Sequence, residues 1–320
     1  MVKVSVIIPC YNAGGYIGRC LDSMQAQTFT EFEVICVDDC STDNTEEVIK
    51  SYVNKSARIA YLRNEHNSGP AKSRINGISV AKGEFVAFCD SDDWFNSDSL
   101  KTMYETAITY KSDIVCFGNK IVFDKGRTIE HPVIEKTIQL SSKEAVMLNL
   151  DALWSMMVKK SLVERFPMPD IRNGEDMAVI PLYFAHSRNV SVIPALLYNY
   201  YVRSNSLSSK ANLGILKSFE ISFLHTKGAF PKDLNKELEY IGIRNYLYGS
   251  LLTLFKCGYD KKTACRIIDN YDGWFKNWRM NPYRNTLPLF KRIYVQMASK
   301  KLYGAMWVLS KLHSMIVKYS

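Results

Sequence analysis

Short apolar runs alternate with amphipathic helical segments along the first 118 residues. This alternation is typical of a mainly parallel sheet with helices on both faces, and ligands of such sheets bind at the carboxyl ends of the strands. The predicted strands are Val4–Pro9, Glu33–Val37, Ile59–Arg63, Glu84–Cys89 and Asp113–Phe117, and the predicted helices are Tyr16–Ala26, Asp43–Tyr52, Pro70–Ala81 and Ser99–Tyr110. The fold class is therefore predicted to be α/β.

The remainder of the chain is less regular and then becomes helical. Residues 119–209 predict a hairpin around Asp124–Gly126, a helix near Ser142–Leu150 and a helical run over Met177–Phe184. From about residue 210 the pattern is helical, aromatic and lysine-rich. We therefore predict a first domain over 1–209, with halves at 1–118 and 119–209, and a basic helical region over 210–320.

The charge of the chain is unevenly distributed. Residues 210–320 hold 19 Lys and Arg against 7 Asp and Glu, a net charge of +12, and residues 1–209 hold 22 against 25, a net charge of −3. A strongly basic region suggests an anionic surface as partner. Nucleic acid is disfavoured because no motif for reading bases is present and the front region is acidic. The inner leaflet of a membrane fits better.

A stretch near the C-terminus has the composition of an interfacial helix. It spans Tyr294–Tyr319, and lysines are interspersed among its apolar residues. The apolar positions are Leu302, Met306, Leu309, Leu312, Ile316 and Tyr319, and the basic ones are Lys300, Lys301, Lys311 and Lys318. The alternative is that the apolar face packs on the first domain, residues 1–209.

Targeting and redox features favour a cytoplasmic protein with optional peripheral contact at the inner face of the plasma membrane. No apolar run approaches the roughly 18 residues that a membrane span needs, and the apolar segment at the N-terminus is too short for a signal peptide. The eight cysteines show no CxxC pair and no metal spacing. Several lie in or beside strand-like runs, which suits small buried hydrophobic residues in a reducing compartment.

Two carboxylates follow the fourth predicted strand in the sequence Asp90-Ser91-Asp92. Positions i and i+2 of a strand point to the same side, so both carboxylates can converge on one point. A hard divalent ion such as Mn²⁺ or Mg²⁺, shared with substrate phosphates, needs one or two such oxygens. The alternative is that the acidic residues cap the next helix, which Asp93, Asn96 and Ser97 can also do.

Other polar clusters follow the neighbouring predicted strands, so all of them open on one crevice. They are Pro9-Cys10-Tyr11-Asn12, Asp38-Asp39-Cys40-Ser41-Thr42-Asp43 and Asn67-Ser68-Gly69-Pro70-Ala71-Lys72-Ser73-Arg74. A competing interpretation is a dinucleotide site, because Ala13-x-Gly15-x-x-Gly18 approaches the G-x-G-x-x-G pattern. It is disfavoured because Pro9-Cys10-Tyr11-Asn12 intervenes between the strand and the glycines, where a dinucleotide site needs the tight turn at once, and because hydride transfer does not need an acidic metal cluster.

These motifs, in this order and spacing, resemble the family 2 glycosyltransferases, which are inverting, metal-dependent enzymes of the GT-A fold, here of the bacterial polysaccharide type. The resemblance continues through Asn173-Gly174-Glu175-Asp176 and Tyr198-x-Tyr200-x-x-Arg203-x-x-Ser206 and covers roughly residues 1–209. One departure is Cys40, where the family commonly has glycine. A residue with a Cβ restricts the backbone there and puts the geometry of that loop in doubt.

The resemblance implies a role for each motif residue. Pro9, Tyr11 and Asp39 would line the pocket for the base and ribose of the donor, usually uridine. Lys72 and Arg74 would face the diphosphate, Asp92 would bind the metal and Asp90 would lie nearer the ribose and sugar. Arg203 and Ser206 would close a loop over the diphosphate, and Asp176 would be the catalytic base.

The resemblance implies a reaction that moves a sugar from a nucleotide-sugar donor, UDP-linked as is usual in the family, to a hydroxyl of a glycan or lipid-linked acceptor. An acceptor hydroxyl is too weakly acidic to ionise at neutral pH, so it needs a general base. We choose Asp176, whose proton affinity Glu175 can raise by like-charge repulsion. Trp154 either stacks on a sugar or packs in the core. The alternative function is a non-catalytic protein that binds nucleotide sugars or membrane lipids on the same fold.

Overall fold

The computed structural model describes residues 1–124, 126–202 and 213–317, with side chains through 313. The chain divides into two compact units, residues 1–206 and residues 207–320. Each unit is described by itself below. The domain boundaries predicted from the sequence stay predictions.

The first unit is built on one sheet. Its strands in the described residues are β1 (Val4–Cys10), β2 (Phe32–Asp38), β3 (Ile59–Arg63), β4 (Phe85–Phe88), β5 (Trp94–Phe95), β6 (Ile114–Phe123), β7 (Thr128–His131), β8 (Ile138–Leu140), β9 (Met156–Lys159) and β10 (Val190–Val202). The sheet order is β3-β2-β1-β4-β9-β6-β10-β5, with β7 beside β6 and β8 beside β10.

Parallel pairing dominates the front of this sheet. β3, β2, β1 and β4 are all parallel, and β6 and β10 are parallel to each other. β9 lies between the two groups and is antiparallel to both of its neighbours, β4 and β6. The central strands are buried on both faces, which explains their nearly continuous apolar sequences. The predicted α/β class is confirmed.

The helices that flank the sheet are α1 (Ile17–Gln25), α2 (Thr45–Val53), α3 (Pro70–Val80), α4 (Ser99–Tyr110), α5 (Ser142–Ala145), α6 (Lys160–Arg165) and α7 (Glu175–His186). The bounds of α1 to α4 and of α7 lie within a residue or two of the predicted ones, and α6 has no predicted counterpart. The helix predicted over Ser142–Leu150 is wrong in length. A capping box formed by Ser141 and Glu144 starts α5, but the α-helix stops after Ala145.

The second unit is helical. Its described α-helices are α8 (Ile215–Ala229), α9 (Asn235–Gly242), α10 (Tyr248–Cys257), α11 (Lys261–Trp274), α12 (Leu289–Ser299) and α13 (Tyr303–Val317), and a π-helical stretch over Ile243–Leu247 joins α9 to α10. Within the described residues, no helix is long and apolar enough to cross a membrane.

The single interfacial helix predicted over Tyr294–Tyr319 is not observed as one helix. The chain breaks between α12 and α13, where Lys301 takes a left-handed conformation with φ 54°. α13 packs on α10 and α12, and Met306, predicted to lie on the apolar surface, is fully buried. Leu302 and Leu312 are exposed. The described part of this segment therefore places one apolar face inside its own unit.

Candidate functional site

The carboxyl ends of the parallel strands bring the predicted motifs to one edge of the sheet. Cys10, the last residue of β1, pairs with Asp38, the last residue of β2. Asp90 follows the end of β4, which runs parallel to β1 on its other side. The polar clusters after these strands are therefore neighbours, as the sequence predicted.

The loops after β1 and β2 are joined by hydrogen bonds. The backbone N–H of Ala13 donates to Thr45 Oγ1 (2.7 Å), and that of Gly14 donates to Asp43 Oδ2 (3.0 Å). These two N–H groups belong to the segment that resembles a dinucleotide motif. Because they bond to the protein's own loop, the geometry does not support a pyrophosphate there. Pro9 is half-buried in β1, and Tyr11 is exposed just beyond it.

Asp39 is buried and holds the loop that precedes α3. Its Oδ1 accepts hydrogen bonds from Asn64 Nδ2 (2.8 Å) and from the backbone N–H of Ser68 (3.0 Å), and its Oδ2 accepts one from the N–H of Gly69 (2.7 Å). Gly69 has φ 93°, a conformation that favours glycine. Both carboxylate oxygens of Asp39 therefore contribute to the shape of the predicted nucleotide side.

Cys40 adopts the conformation that glycine would take. Its φ is 61°, in the left-handed region that costs a residue with a Cβ about 1–2 kcal/mol. The loop around it is nevertheless closed, since the N–H of Ser41 donates to Asp38 Oδ1 (2.9 Å) and that of Asn12 donates to Ser41 Oγ (2.9 Å). The departure at Cys40 thus brings strain and leaves the loop intact.

The turn after β4 is held by β10. Tyr198 OH accepts a hydrogen bond from the N–H of Asp90 (3.0 Å) and donates one to Asp93 Oδ2 (2.8 Å), and the N–H of Tyr201 donates to Asp93 Oδ1 (2.7 Å). Burial and the neighbouring Asp90 and Asp92 raise the pKa of Asp93 to about 8. Asp93 therefore does not cap a helix. The N-cap of α4 is Asp98, which makes no side-chain capping bond within the described residues.

Asp92 is half-buried, and Arg19 stabilises its backbone. Arg19 Nη2 donates to the carbonyl of Asp92 (2.8 Å), while its guanidinium lies 3.9 Å from the ring centre of Trp94 and 4.2 Å from that of Tyr201. The described residues contain no group of three or more His, Cys, Asp or Glu side chains arranged to hold a metal ion. One carboxylate together with diphosphate oxygens and water nevertheless fits Mg²⁺ or Mn²⁺.

Arg74, in the first turns of α3, joins two carboxylates that lie far apart in sequence. Its Nη2 pairs with Asp90 Oδ1 at 2.7 Å, and its Nη1 pairs with Glu175 Oε1. The side chains of Arg74 and Glu175 are each only 7% exposed. Burial disfavours the charged guanidinium, but Asp90, Asp176 and Glu175 hold the pKa of Arg74 above its usual range.

Asp176 lies in the first turn of α7, beside this pair. Its Oδ2 accepts a long hydrogen bond from the N–H of Leu153 (3.4 Å), while its Oδ1 is shielded from solvent and has no hydrogen-bond partner among the described residues. Burial raises the pKa of Asp176 to about 7, Arg74 opposes that rise, and Glu175 and Asp90 add to it. The expected repulsion from Glu175 is present, but burial is the larger cause.

The loop before α7 contacts the loop before α3. Arg172 Nη2 donates to Asn67 Oδ1 (3.5 Å), and a Cβ on Gly69 would lie 3.4 Å from the carbonyl oxygen of Arg172. Lys72 forms an ion pair with Asp170 at 3.8 Å, with both side chains partly exposed. These contacts bring the start of α7 to the edge of the sheet where the donor motifs lie.

Two further predictions concern residues at the margin of the site. Trp154 stacks on Tyr198, with ring centres 4.7 Å apart and planes at 9°, and on Tyr200 at 5.8 Å. This packing against the core favours the structural alternative for Trp154. Arg203 and Ser206 lie outside the described residues, so their predicted roles stay predictions.

Sequence reasoning missed three contacts that define the site. The Arg74–Glu175 pair joins residues 101 positions apart, Tyr198 bonds to Asp90 and Asp93 across more than 100 positions, and Arg19 lies over Trp94. No local pattern signals such pairs. The only available hint was the presence of Arg74, Glu175 and Tyr198 within the quoted motifs.

Comparison with known proteins identifies the family. The sequence profile of glycosyl transferase family 2 matches residues 5–164. The chain is 30% identical over 220 residues to glycosyltransferase GlyA of Streptococcus pneumoniae, which covers 64% of this chain and 31% of GlyA. It is 32% identical over 207 residues to the poly(ribitol-phosphate) beta-N-acetylglucosaminyltransferase TarS of Staphylococcus aureus, covering 62% and 35%. The chain thus spans about a third of the length of these two relatives.

A solved structure confirms the fold. The crystal structure of TarS residues 1–349 in complex with UDP-GlcNAc superimposes with a TM-score of 0.77 at 23% identity, covering 98% of this chain and 92% of the other. The likeness extends over the predicted GT-A fold and the helical region that follows it. The family profile spans half of the chain, so this protein belongs to glycosyl transferase family 2.

Proposed function

We propose that this protein is an inverting glycosyltransferase that moves a sugar from a UDP-linked donor to a hydroxyl group of a glycan or lipid-linked acceptor. The observation that carries the proposal is the shielded Oδ1 of Asp176, which has no hydrogen-bond partner in the described part of the chain. It lies beside the Arg74–Asp90 pair at the end of β4. A buried acceptor atom without a donor is costly in a folded protein and calls for an explanation.

Asp176 acts as the general base in this proposal. A base works best when its pKa lies near the operating pH, and burial places the pKa of Asp176 at about 7. Its free lone pairs accept the proton of the acceptor hydroxyl as that oxygen attacks the anomeric carbon. The base and the leaving diphosphate act on opposite faces of the sugar, so the configuration at that carbon inverts.

Asp92 would hold a divalent cation, Mn²⁺ or Mg²⁺, through its carboxylate. When bound, the ion supplies positive charge to the diphosphate oxygens as the leaving group departs. The protein's own contribution is to fix the turn that carries Asp92. Arg19 bonds to the Asp92 carbonyl, and Tyr198 and Tyr201 bond to the adjacent Asp93.

The remaining donor contacts follow from the family motifs. Pro9, Tyr11 and Asp39 would line the pocket for the base and ribose, and Asp39 also holds the loop before Gly69. Lys72 would lie toward the diphosphate, and Arg203 and Ser206 would close over it. The similarity to TarS, a poly(ribitol-phosphate) beta-N-acetylglucosaminyltransferase crystallised with UDP-GlcNAc, favours UDP-GlcNAc as the first donor to test and a polyol-phosphate or glycan hydroxyl as the acceptor.

Substitution of Asp176 by asparagine tests the proposal. Asn cannot take up the proton, so sugar transfer should fall by about 10²–10⁴-fold, while UDP binding with Mn²⁺ stays close to that of the wild type. An assay of sugar transfer or of donor hydrolysis, with UDP-GlcNAc and related UDP sugars, measures the loss of activity. Calorimetry measures UDP binding. Near-normal turnover of Asp176→Asn would show that another group is the base.

The alternative is a non-catalytic protein that binds nucleotide sugars or membrane lipids. It predicts tight UDP binding with no turnover on any UDP sugar and no effect of Asp176→Asn. A panel of nucleotide sugars, screened by thermal stabilisation with Mn²⁺ and then for hydrolysis, distinguishes the two functions.

Peripheral membrane contact through residues 210–320 is part of the proposal. The region carries a net charge of +12, and the outward side of α13 presents Trp307, Val308 and Leu312, each at least 37% exposed. Aromatic and apolar side chains beside lysines suit the interface of an anionic bilayer. Sedimentation with vesicles containing anionic lipid should pull down the wild type and less of Trp307→Ser. Absence of wild-type binding at moderate salt would contradict this contact.

A further inference from the structure

The buried guanidinium of Arg74 lies among three acidic side chains, of which Glu175 is buried and Asp90 and Asp176 are half-buried. Asp90 lies just after the end of β4, and Glu175 and Asp176 lie in the first turn of α7. One cation thus faces three carboxylates. Its ion pair with Glu175 is buried on both sides, and its ion pair with Asp90 is partly exposed through the Asp90 side chain. Breaking a buried pair by removing one partner leaves an uncompensated charge, which is strongly unfavourable.

Both terminal nitrogens of the Arg74 guanidinium take part in these ion pairs. Nη2 is committed to Asp90 and Nη1 to Glu175. The remaining nitrogen, Nε, is buried and has no hydrogen-bond partner among the described residues. An arginine held in this way is a rigid bridge between two backbone segments, since its planar fork fixes both carboxylates at once.

The bridge joins the two sides of the proposed reaction. Asp90 belongs to the turn that carries the proposed metal ligand Asp92, and Glu175 is the chain neighbour of the proposed base. We infer that Arg74 is a positioning residue that ties the start of α7 to the turn after β4 and so fixes Asp176 relative to the donor. This inference rests on the proposed role of Asp176 as base, and it differs from the diphosphate contact that the family motif implies for Arg74.

The bridge also sets the charge around Asp176. The groups that face this carboxylate are Arg74 from α3, Asp90 after β4, Glu175 and Tyr183 from α7, and the N–H of Leu153. Of these side chains, Arg74 lowers the pKa of Asp176, and Glu175 and Asp90 raise it. Loss of Arg74 and loss of the Glu175 charge therefore push the pKa of Asp176 in opposite directions.

The titration of Asp176 gives a test that does not depend on turnover. We would label aspartate at Cγ with ¹³C, assign the Asp176 signal by its absence in Asp176→Asn, and follow it with pH. The signal should titrate at higher pH in Arg74→Gln and at lower pH in Glu175→Gln. Arg74→Lys keeps the charge and should stay nearer the wild type. Arg58→Gln, an exposed arginine before β3, is the matched control and should not change the titration.

Measurements of turnover and of UDP binding distinguish a positioning role of Arg74 from a direct contact between Arg74 and the diphosphate. In Arg74→Lys the fork is lost and the base is misplaced, so kcat should fall by about 10²-fold, while the Kd for UDP with Mn²⁺ changes by less than about threefold. A Kd raised tenfold or more, with an unchanged Asp176 titration, would overturn the inference and assign Arg74 to the diphosphate. If Arg74→Gln does not fold, Arg74→Lys and Glu175→Gln still decide the question.

Failure of the inference and failure of the proposed function give different results. Normal turnover in Asp176→Asn would show that Asp176 is not the base. The titration of the Asp176 carboxyl group in the Arg74 variants can still be measured in that case. Abolished turnover in Asp176→Asn, with equal titration of Asp176 in wild type, Arg74→Gln and Glu175→Gln, keeps the base and refutes the positioning role.

Discussion

The two sides of the site differ in how completely their polar atoms are bonded. On the nucleotide side, both oxygens of Asp39 accept hydrogen bonds from the loop before α3, and both oxygens of Asp38 also accept bonds. On the base side, Asp176 Oδ1 and Arg74 Nε are buried without a hydrogen-bond partner in the described residues. The first side is therefore a preformed surface, whereas the second leaves two shielded polar atoms without a partner in the described residues, as the proposed role of Asp176 requires.

The largest predicted effect tests the incomplete side through its pH dependence. The proposed base must be deprotonated, and burial raises the pKa of Asp176 to about 7. Below that pH, kcat/KM, which reports the free enzyme, should fall about tenfold for each pH unit, and above it kcat/KM should level off. A profile of kcat/KM against pH from 5 to 9 measures this, at constant ionic strength. A rate independent of pH across 6 to 8 would contradict the assignment of Asp176.

The next effect tests the preformed side. In Asp39→Asn, one amide group must face backbone N–H donors, so the free energy of unfolding should fall by about 2–3 kcal/mol and UDP binding should weaken. Urea denaturation measures the free energy of unfolding, and calorimetry measures UDP binding. Asp22→Asn is a matched control, because Asp22 is exposed and accepts one bond from Tyr52, so its change should stay within about 0.5 kcal/mol. Equal effects of the two variants would remove the distinction between the sides.

A smaller effect is expected from Tyr198→Phe. The hydroxyl joins the N–H of Asp90 to Asp93 Oδ2, and its loss leaves both groups short of one partner. The free energy of unfolding should fall by about 1–2 kcal/mol. Tyr52→Phe, whose hydroxyl bonds at the surface, serves as control. If Tyr198→Phe is as stable as Tyr52→Phe, the turn after β4 does not depend on β10.

The smallest effect concerns the strained residue on the nucleotide side. Cys40→Gly relieves the left-handed strain and should stabilise the protein by about 1 kcal/mol, which for a unit of this size raises the Tm by about 2–4 °C. Cys40→Ala keeps a Cβ and should show no gain. A gain in both variants would assign the effect to the thiol and not to the backbone.

Local patterns explain why so much of the first unit was predictable. Strands β1 to β4 and helices α1 to α4 lie within a residue or two of their predicted bounds, because apolar runs and their spacing reflect burial directly. The prediction was weaker where packing decides: α5 ended early at Ala145, and the segment predicted as one helix broke at Lys301.

Residue types and their spacing along the chain were sufficient to predict the α/β architecture, the edge of the sheet where the polar motifs meet, and the family. The partner of each carboxylate depends instead on tertiary packing. Asp39 holds a loop, Asp93 binds to β10, and Arg74 joins Asp90 to Glu175. These contacts connect residues up to 108 positions apart, and they form only when separate strands and helices pack together.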